Sequence, residues 1–206
     1  MTATARTLCL AGLGALFLVS SSPCDALGQE KSTRRRGYVG FKVGMIGWGE
    51  VRIKPINSNS ETTLNTEESY SLGVFGDVWS RSAMSLGISI DISDVKSQVA
   101  PDANEMLLEF GAHVSRRFAT PDGRLVFRAA SGFGYGIMKE IQVNNAVIVD
   151  ATHYLTFRLF GELALLSASG HGVLGEVGWL WAVDGGNAGA VVTAGPMWML
   201  RFGVVL

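Results

Sequence analysis

Between Met84 and Asp94 the chain separates its side chains by parity. Met84, Leu86, Ile88, Ile90 and Ile92 are apolar, whereas Ser85, Gly87, Ser89, Asp91 and Ser93 are small or polar. Alternation with period two predicts a β-strand with one apolar and one polar face. Such a run covers about 26 Å of strand at about 3.3 Å per residue. Tilted by about 40°, it spans roughly 20 Å, close to the apolar band of a membrane barrel. In a soluble barrel the apolar parity fills the core; in a membrane barrel it faces lipid.

The same pattern recurs in seven further runs. The first sets Val39, Phe41, Val43 and Met45 against Gly40, Lys42, Gly44 and Glu50, and the second sets Tyr70, Leu72, Val74 and Val78 against Ser71, Gly73, Phe75 and Asp77. After the opening strand, Met106, Leu108, Phe110, Ala112 and Val114 oppose Glu109, Gly111, His113 and Ser115. The fifth run has Leu125, Phe127, Ala129, Phe133, Tyr135 and Ile137 opposite Val126, Arg128, Ala130, Gly132, Gly134 and Gly136. The sixth has Leu155, Phe157, Leu159, Leu163 and Leu165 opposite Thr156, Arg158, Phe160, Glu162 and Ala164. The seventh carries Val173, Val177, Trp179, Trp181 and Val183 against Glu176, Gly178 and Ala182; the eighth carries Trp198, Leu200, Phe202, Val204 and Leu206 against Met197, Met199, Arg201 and Gly203.

Connections alternate in length. Ser80 to Ala83, the Pro121-Asp122-Gly123 turn and Ser167 to Gly172 are short. Residues 54–68, the stretch around Val99 to Asn104, and 141–149 centred on Asn144-Asn145 are longer, and the last is expected to be a hairpin reaching past the membrane. An eight-stranded antiparallel transmembrane β-barrel with short periplasmic turns and longer external loops accounts for this alternation, with both ends of the barrel chain on the short-turn side.

Charge decides which parity is inside. Glu50, Asp77, Asp91, Glu109, Glu162 and Glu176, with Lys42, Arg52, Arg128, Arg158 and Arg201, all lie opposite the aliphatic stripe. Eight bulky stripes overfill a lumen that eight strands leave only wide enough for side chains. Turned the other way, glycines, serines and paired acids and bases fit there as a lumen network of Lys42, Asp77, Asp91, Glu109, Arg128, Arg158, Glu162, Glu176 and Arg201, since buried charges are tolerated when paired. Aromatic residues near strand ends, such as Trp79, Tyr154, Trp179 and Trp198, fit interfacial girdles. On this reading a charge at Ile88 meets lipid, and the same change at Ser89 is expected to be milder.

Composition agrees: of 206 residues 48% are hydrophobic and only 17% charged, with 26 glycines. Arg6, the apolar run Leu8 to Val19 and the small residues ending at Gly28 predict a secretory signal peptide over 1–28, a polar leader over 29–37 and the barrel over 38–206. Both cysteines, Cys9 and Cys24, fall in the leader, so neither a disulfide framework nor a thiolate metal site is expected. The formal charge of -1 gives no footprint for nucleic acid.

Signal peptide, cysteine-free remainder, eight dyad-patterned strands and an apolar C-terminal stripe together resemble the small outer-membrane β-barrel family that includes the OmpA and OmpX barrel domains, across essentially all of 38–206. The resemblance implies a porin-like shell in the Gram-negative outer membrane. Its implied partners are membrane lipid and lipopolysaccharide, and the barrel assembly machinery through the last strand, where Leu206 stands in place of the family's usual terminal aromatic. An external protein partner at the Asn144-Asn145 hairpin is a further expectation.

Candidate chemistry is sparse. His113 and Ser115 form a His-x-Ser that resembles the pair of lipid A deacylases and outer-membrane phospholipases, although Arg116 stands where those favour Asn; a serine nucleophile would need the histidine within hydrogen-bond reach. Gly132-x-Gly134-x-Gly136 lies within a strand and precedes no helix, so it is read as room for lumen neighbours rather than as a phosphate loop. His153 and His171 are isolated, and neither metal nor cofactor is expected. The expected function is a non-enzymatic structural or surface-interaction barrel with a filled polar lumen. A small porin, and a lipid-modifying enzyme working through His113 and Ser115, are the alternatives.

Overall fold

The computed structural model describes residues 38–206 except 48, 58, 82, 98–99, 139–140, 144–145, 150–151 and 185–189. The expected signal peptide and leader (1–37) and the Asn144-Asn145 tip therefore lie outside the described residues. Twelve strands follow one another: β1 (Val39–Gly47), β2 (Glu50–Pro55), β3 (Thr62–Glu67), β4 (Ser69–Arg81), β5 (Met84–Ser97), β6 (Ala100–Ala119), β7 (Leu125–Met138), β8 (Ile141–Val143), β9 (Ala146–Val149), β10 (Thr152–Leu166), β11 (Gly172–Asp184) and β12 (Ala190–Val205). β1 with β2, and β3 with β4, are the two halves of single staves, so ten strands build an eight-staved antiparallel barrel closed by β12 against β1 and β2. β8 and β9 pair separately as a small hairpin.

The staves are staggered. Following the register from Gly40 through Phe75, Ser89, Gly111, Gly134, Thr156, Ala182 and Ala194 returns to the first stave at Val51. That offset is the strand tilt that lets a sheet close without an edge.

The wall is inverted relative to a soluble protein. Ile88, Leu155, Phe202 and Tyr70 are exposed at 52%, 63%, 61% and 72%, while Glu109, Glu162, Glu176 and Arg128 are each at 1%. Apolar side chains project outward on every stave of the barrel. A continuous apolar exterior of this extent is the surface of a lipid-facing barrel, because water-soluble monomers do not expose one.

Two expectations are corrected. Residues 54–68 are not one long loop: β2 and β3 pair across them as an extension of the wall, leaving 56–61 as the connection. The stretch around Val99 likewise belongs mostly to β6, which pairs with β5 up to Ser97 and Ala100. The strands simply run past the apolar band on the side away from the short turns.

Glu50 and Arg52 do not point into the lumen. β1 ends at Gly47 and β2 begins at Glu50 with the opposite parity, so Val51 and Ile53 turn inward and Arg52 bonds Glu50 at 2.7 Å on the outer face. The neighbouring staves change phase at the same level, at Glu68 between β3 and β4 and at Gly195-Pro196 in β12. Gly195 has φ of 105°, and its register against β11 slips between Leu180 and Ala182. A bulge of this kind adds one residue and swaps the faces beyond it.

Candidate functional site

The lumen is organised in three layers. At the short-turn end Tyr38, Phe75, Val126, Ala164, Leu174 and Val205 pack together. At the far end Ile46, Val51, Ile53, Leu64, Leu107, Tyr154, Leu180, Val192, Met197 and Met199 form a second apolar plug. The phase change in three adjacent staves is what supplies Val51, Ile53, Leu64 and Val192 to that plug. Between the two lies a band of charge.

That band is one unbroken chain of alternating sign. Glu109 accepts from Arg158 at 2.7 Å, and Arg158 reaches Asp91 at 2.8 Å. Asp91 also accepts from Arg201, whose Nε donates to Glu176 at 2.7 Å. Glu176 accepts from Lys42 at 2.5 Å, and the same ammonium donates to Glu162 at 2.8 Å. Glu162 meets Arg128 at 3.4 Å, Arg128 donates to Asp77 at 2.8 Å, and Asp77 accepts from Arg117 at 3.0 Å. Five acids and five bases therefore neutralise one another, with side chains at 7% exposure or less.

Cross-strand register explains why these residues need the lumen. Asp91 stands opposite Glu109, Glu162 opposite Glu176, and Arg117 opposite Arg128. Like charges directly opposite repel. Each pair is resolved by a side chain of opposite sign reaching through the lumen from two or three staves away: Arg158 for the first, Lys42 for the second and Asp77 for the third. Aromatic faces complete the cation contacts, with Lys42 4.1 Å from the Phe75 centroid and Arg117 4.4 Å from that of Tyr38.

Inward glycines make this packing possible. A Cβ at Gly73 would stand 2.1 Å from Asp91 Oδ1, and one at Gly87 would stand 2.3 Å from His113 Nε2. Gly134 faces Thr156 and Glu109, so the three glycines of 132–136 leave room for lumen side chains and no phosphate cradle arises. The space left beside Lys42, Asp91, Glu109, His113 and Arg158 is about 10 Å³, roughly one water molecule.

All nine lumen residues singled out from sequence, namely Lys42, Asp77, Asp91, Glu109, Arg128, Arg158, Glu162, Glu176 and Arg201, sit in this chain. Arg117 was missed, although continuing the parity of His113 and Ser115 by two residues would have placed it inside. His113 and Ser115 share the inward face but make different contacts. The Ser115 hydroxyl pairs with Ser85 Oγ at 2.6 Å and accepts from Arg128 Nη2 at 3.0 Å, while the His113 ring stands edge-on to Phe160 at 5.5 Å. Ser115 is completely buried in the lumen, away from the lipid-facing wall. Among the described residues no cluster of His, Cys, Asp and Glu is arranged to hold a metal.

No protein-family model matches the chain, and no curated protein does. Solved structures with a similar strand arrangement include Neisserial surface protein A, at 13% identity and a TM-score of 0.44, covering 82% of this chain and 96% of that one. Ail, the attachment invasion locus protein of Yersinia pestis, is 9% identical with a TM-score of 0.40, covering 83% of this chain and 99% of its own. The outer membrane enzyme PagL is 15% identical with a TM-score of 0.39, covering 77% of this chain and 97% of its own. The chain itself is a closed, eight-staved antiparallel β-barrel with an apolar exterior and a charge-filled lumen, the architecture of the small outer-membrane barrels.

Proposed function

We propose that this protein is a bacterial outer-membrane barrel that conducts no solute, performs no catalysis, and acts as a structural and surface-interaction element of the cell envelope. The observation that carries this reading is the sealed lumen, a neutral chain of ten paired charges between two apolar plugs. A porin needs a continuous wetted path, and the inward charges that would line one, Asp91, Arg128, Arg158 and Glu162 among them, are consumed in ion pairs. Catalysis at Ser115 would require a hydroxyl free to attack and open to lipid, which its buried bonds to Ser85 and Arg128 oppose.

The strands that run past the apolar band support the surface role. β2 with β3, and β8 with β9, place hairpins on the side away from the short turns, the side on which a surface partner would be met. Lipopolysaccharide and membrane phospholipid are its lipid partners in this reading. β12, with Trp198, Leu200, Phe202 and Val204 outward, is its contact with the assembly machinery.

Purified full-length protein reconstituted in a planar bilayer tests the proposal. The expected record shows no stable open level; a large, stable conductance overturns it. Fractionation to the outer membrane, with heat-modifiable gel migration, is the expected location and fold signature, and a soluble protein of unchanged mobility overturns the membrane reading.

A further inference from the structure

Among the bulky outward stripes of β10 and β11 two positions are empty, Gly161 and Gly175. Unlike the lumen glycines, neither is required by packing. A Cβ at Gly161 would come no nearer than 3.7 Å to Phe127, and one at Gly175 no nearer than 3.8 Å to Phe202. Glycine weakens a strand interior without a compensating contact, so the pair marks a place where something else approaches the backbone. The result is a groove of about 250 Å³ on the outer wall, flanked by Phe127, Leu163, Val177 and Leu200.

Positive charge stands at the short-turn rim two to four strand spacings from this groove, about 10 to 19 Å along the wall. Arg81, Met84 and Arg116 are consecutive register partners on β4, β5 and β6, which sets the two arginines two strand spacings apart, about 10 Å. The same row continues from Arg116 through Ala129 to Gly161, Val177 and Leu200. An apolar path joins the two features: Arg116 lies 5.4 Å from the Phe118 centroid, Phe118 and Phe127 are 6.0 Å apart, and Phe127 borders Gly161. Because the register climbs away from the short turns in this direction, the groove lies deeper in the apolar band than the arginines.

We infer that the Gly161–Gly175 groove and the Arg81–Arg116 pair form one binding site for an anionic glycerophospholipid of the periplasmic leaflet. One acyl chain lies in the groove and the headgroup phosphate meets the two guanidinium groups. A polar anionic head at the rim and an apolar tail directed toward the bilayer centre match the order of charge and groove along the wall. The inference rests on the outer-membrane reading for which leaflet meets the short-turn rim.

Native mass spectrometry of the full chain released from detergent micelles, with phosphatidylglycerol as the probe, tests the site. The expected result is one retained lipid, with retention weakened about tenfold by Arg81→Gln and by Arg116→Gln, each removing one charge-assisted contact. Gly161→Leu, whose Cβ has ordinary contact distance to Phe127 and whose side chain would occupy the groove, is expected to abolish retention. Heat-modifiable migration of all three variants keeps the comparison among folded barrels. Equal retention by wild type and variants overturns the site, as does a preference for lipopolysaccharide that the same variants remove. A protein that fractionates outside the outer membrane overturns the location reading and this inference together, whereas lost retention in a correctly located barrel overturns only the site.

Discussion

Asp91 on β5 and Glu109 on β6 are direct cross-strand partners, both buried, and Arg158 from β10, two staves beyond β6, bridges them at 2.8 and 2.7 Å. The local pairing is repulsive. It is stable only because the curved wall brings Arg158 over the lumen to both carboxylates.

Arg158→Met is therefore expected to leave Glu109 without its cation and to destabilise the barrel by about 3–5 kcal/mol, the usual cost of removing one member of a buried pair. Urea titration of the folded protein, followed by tryptophan fluorescence in lipid vesicles, measures this. Adding Glu109→Gln should recover a substantial part of the loss. A single variant as stable as wild type would show that the charge chain does not support the fold.

Ile88 faces outward at 52% exposure, and Ile88→Arg should cost about 2–4 kcal/mol at mid-band. The sequence alone makes Ser89→Arg the milder change. The packed lumen reverses that order: Ser89 borders a space of about 10 Å³ near Arg158 and Arg201, so a new guanidinium there meets both crowding and like charge. Parallel urea titrations of the two variants check which is worse.

Ser115→Ala removes the hydroxyl that joins Ser85 and Arg128. The expected outcome is a stability loss of about 1 kcal/mol, typical of one buried hydrogen bond, with unaltered membrane lipid composition. Lipid profiles that change in cells carrying the variant would restore the enzymatic alternative.

Asp122, in the short turn after β6, accepts from Thr120 Oγ1 and from the Arg124 backbone N–H, and these bonds hold its carboxyl below the ordinary aspartate value. A carboxyl depressed in the folded state stabilises the turn above its unfolded pKa and loses that contribution as pH falls through the folded value. An NMR titration of the Arg124 amide should give a midpoint below about 3.9, and Asp122→Asn should remove the transition.

The sequence by itself determined the wall. In Met84 to Asp94 period two alone states which side chains share a face, and the charges on the other parity state which face is inside. Apolar surface in lipid and paired charge in the lumen leave only that orientation. The nine lumen residues were legible for the same reason, because parity is a local property of an extended chain.

What parity carries along a strand, however, it cannot carry across a bulge. Glu50 and Arg52 continue the alternation of Lys42 in the sequence, yet the faces are exchanged between β1 and β2, which builds an apolar plug from Val51 and Ile53. The sign-alternating order from Glu109 to Arg117 was equally hidden. Its links join residues as far as 134 positions apart, and Glu162 with Glu176 reads as simple repulsion until Lys42 arrives through the lumen. Which charge meets which depends on stagger and closure, properties of the whole sheet, and only the tertiary structure decided them.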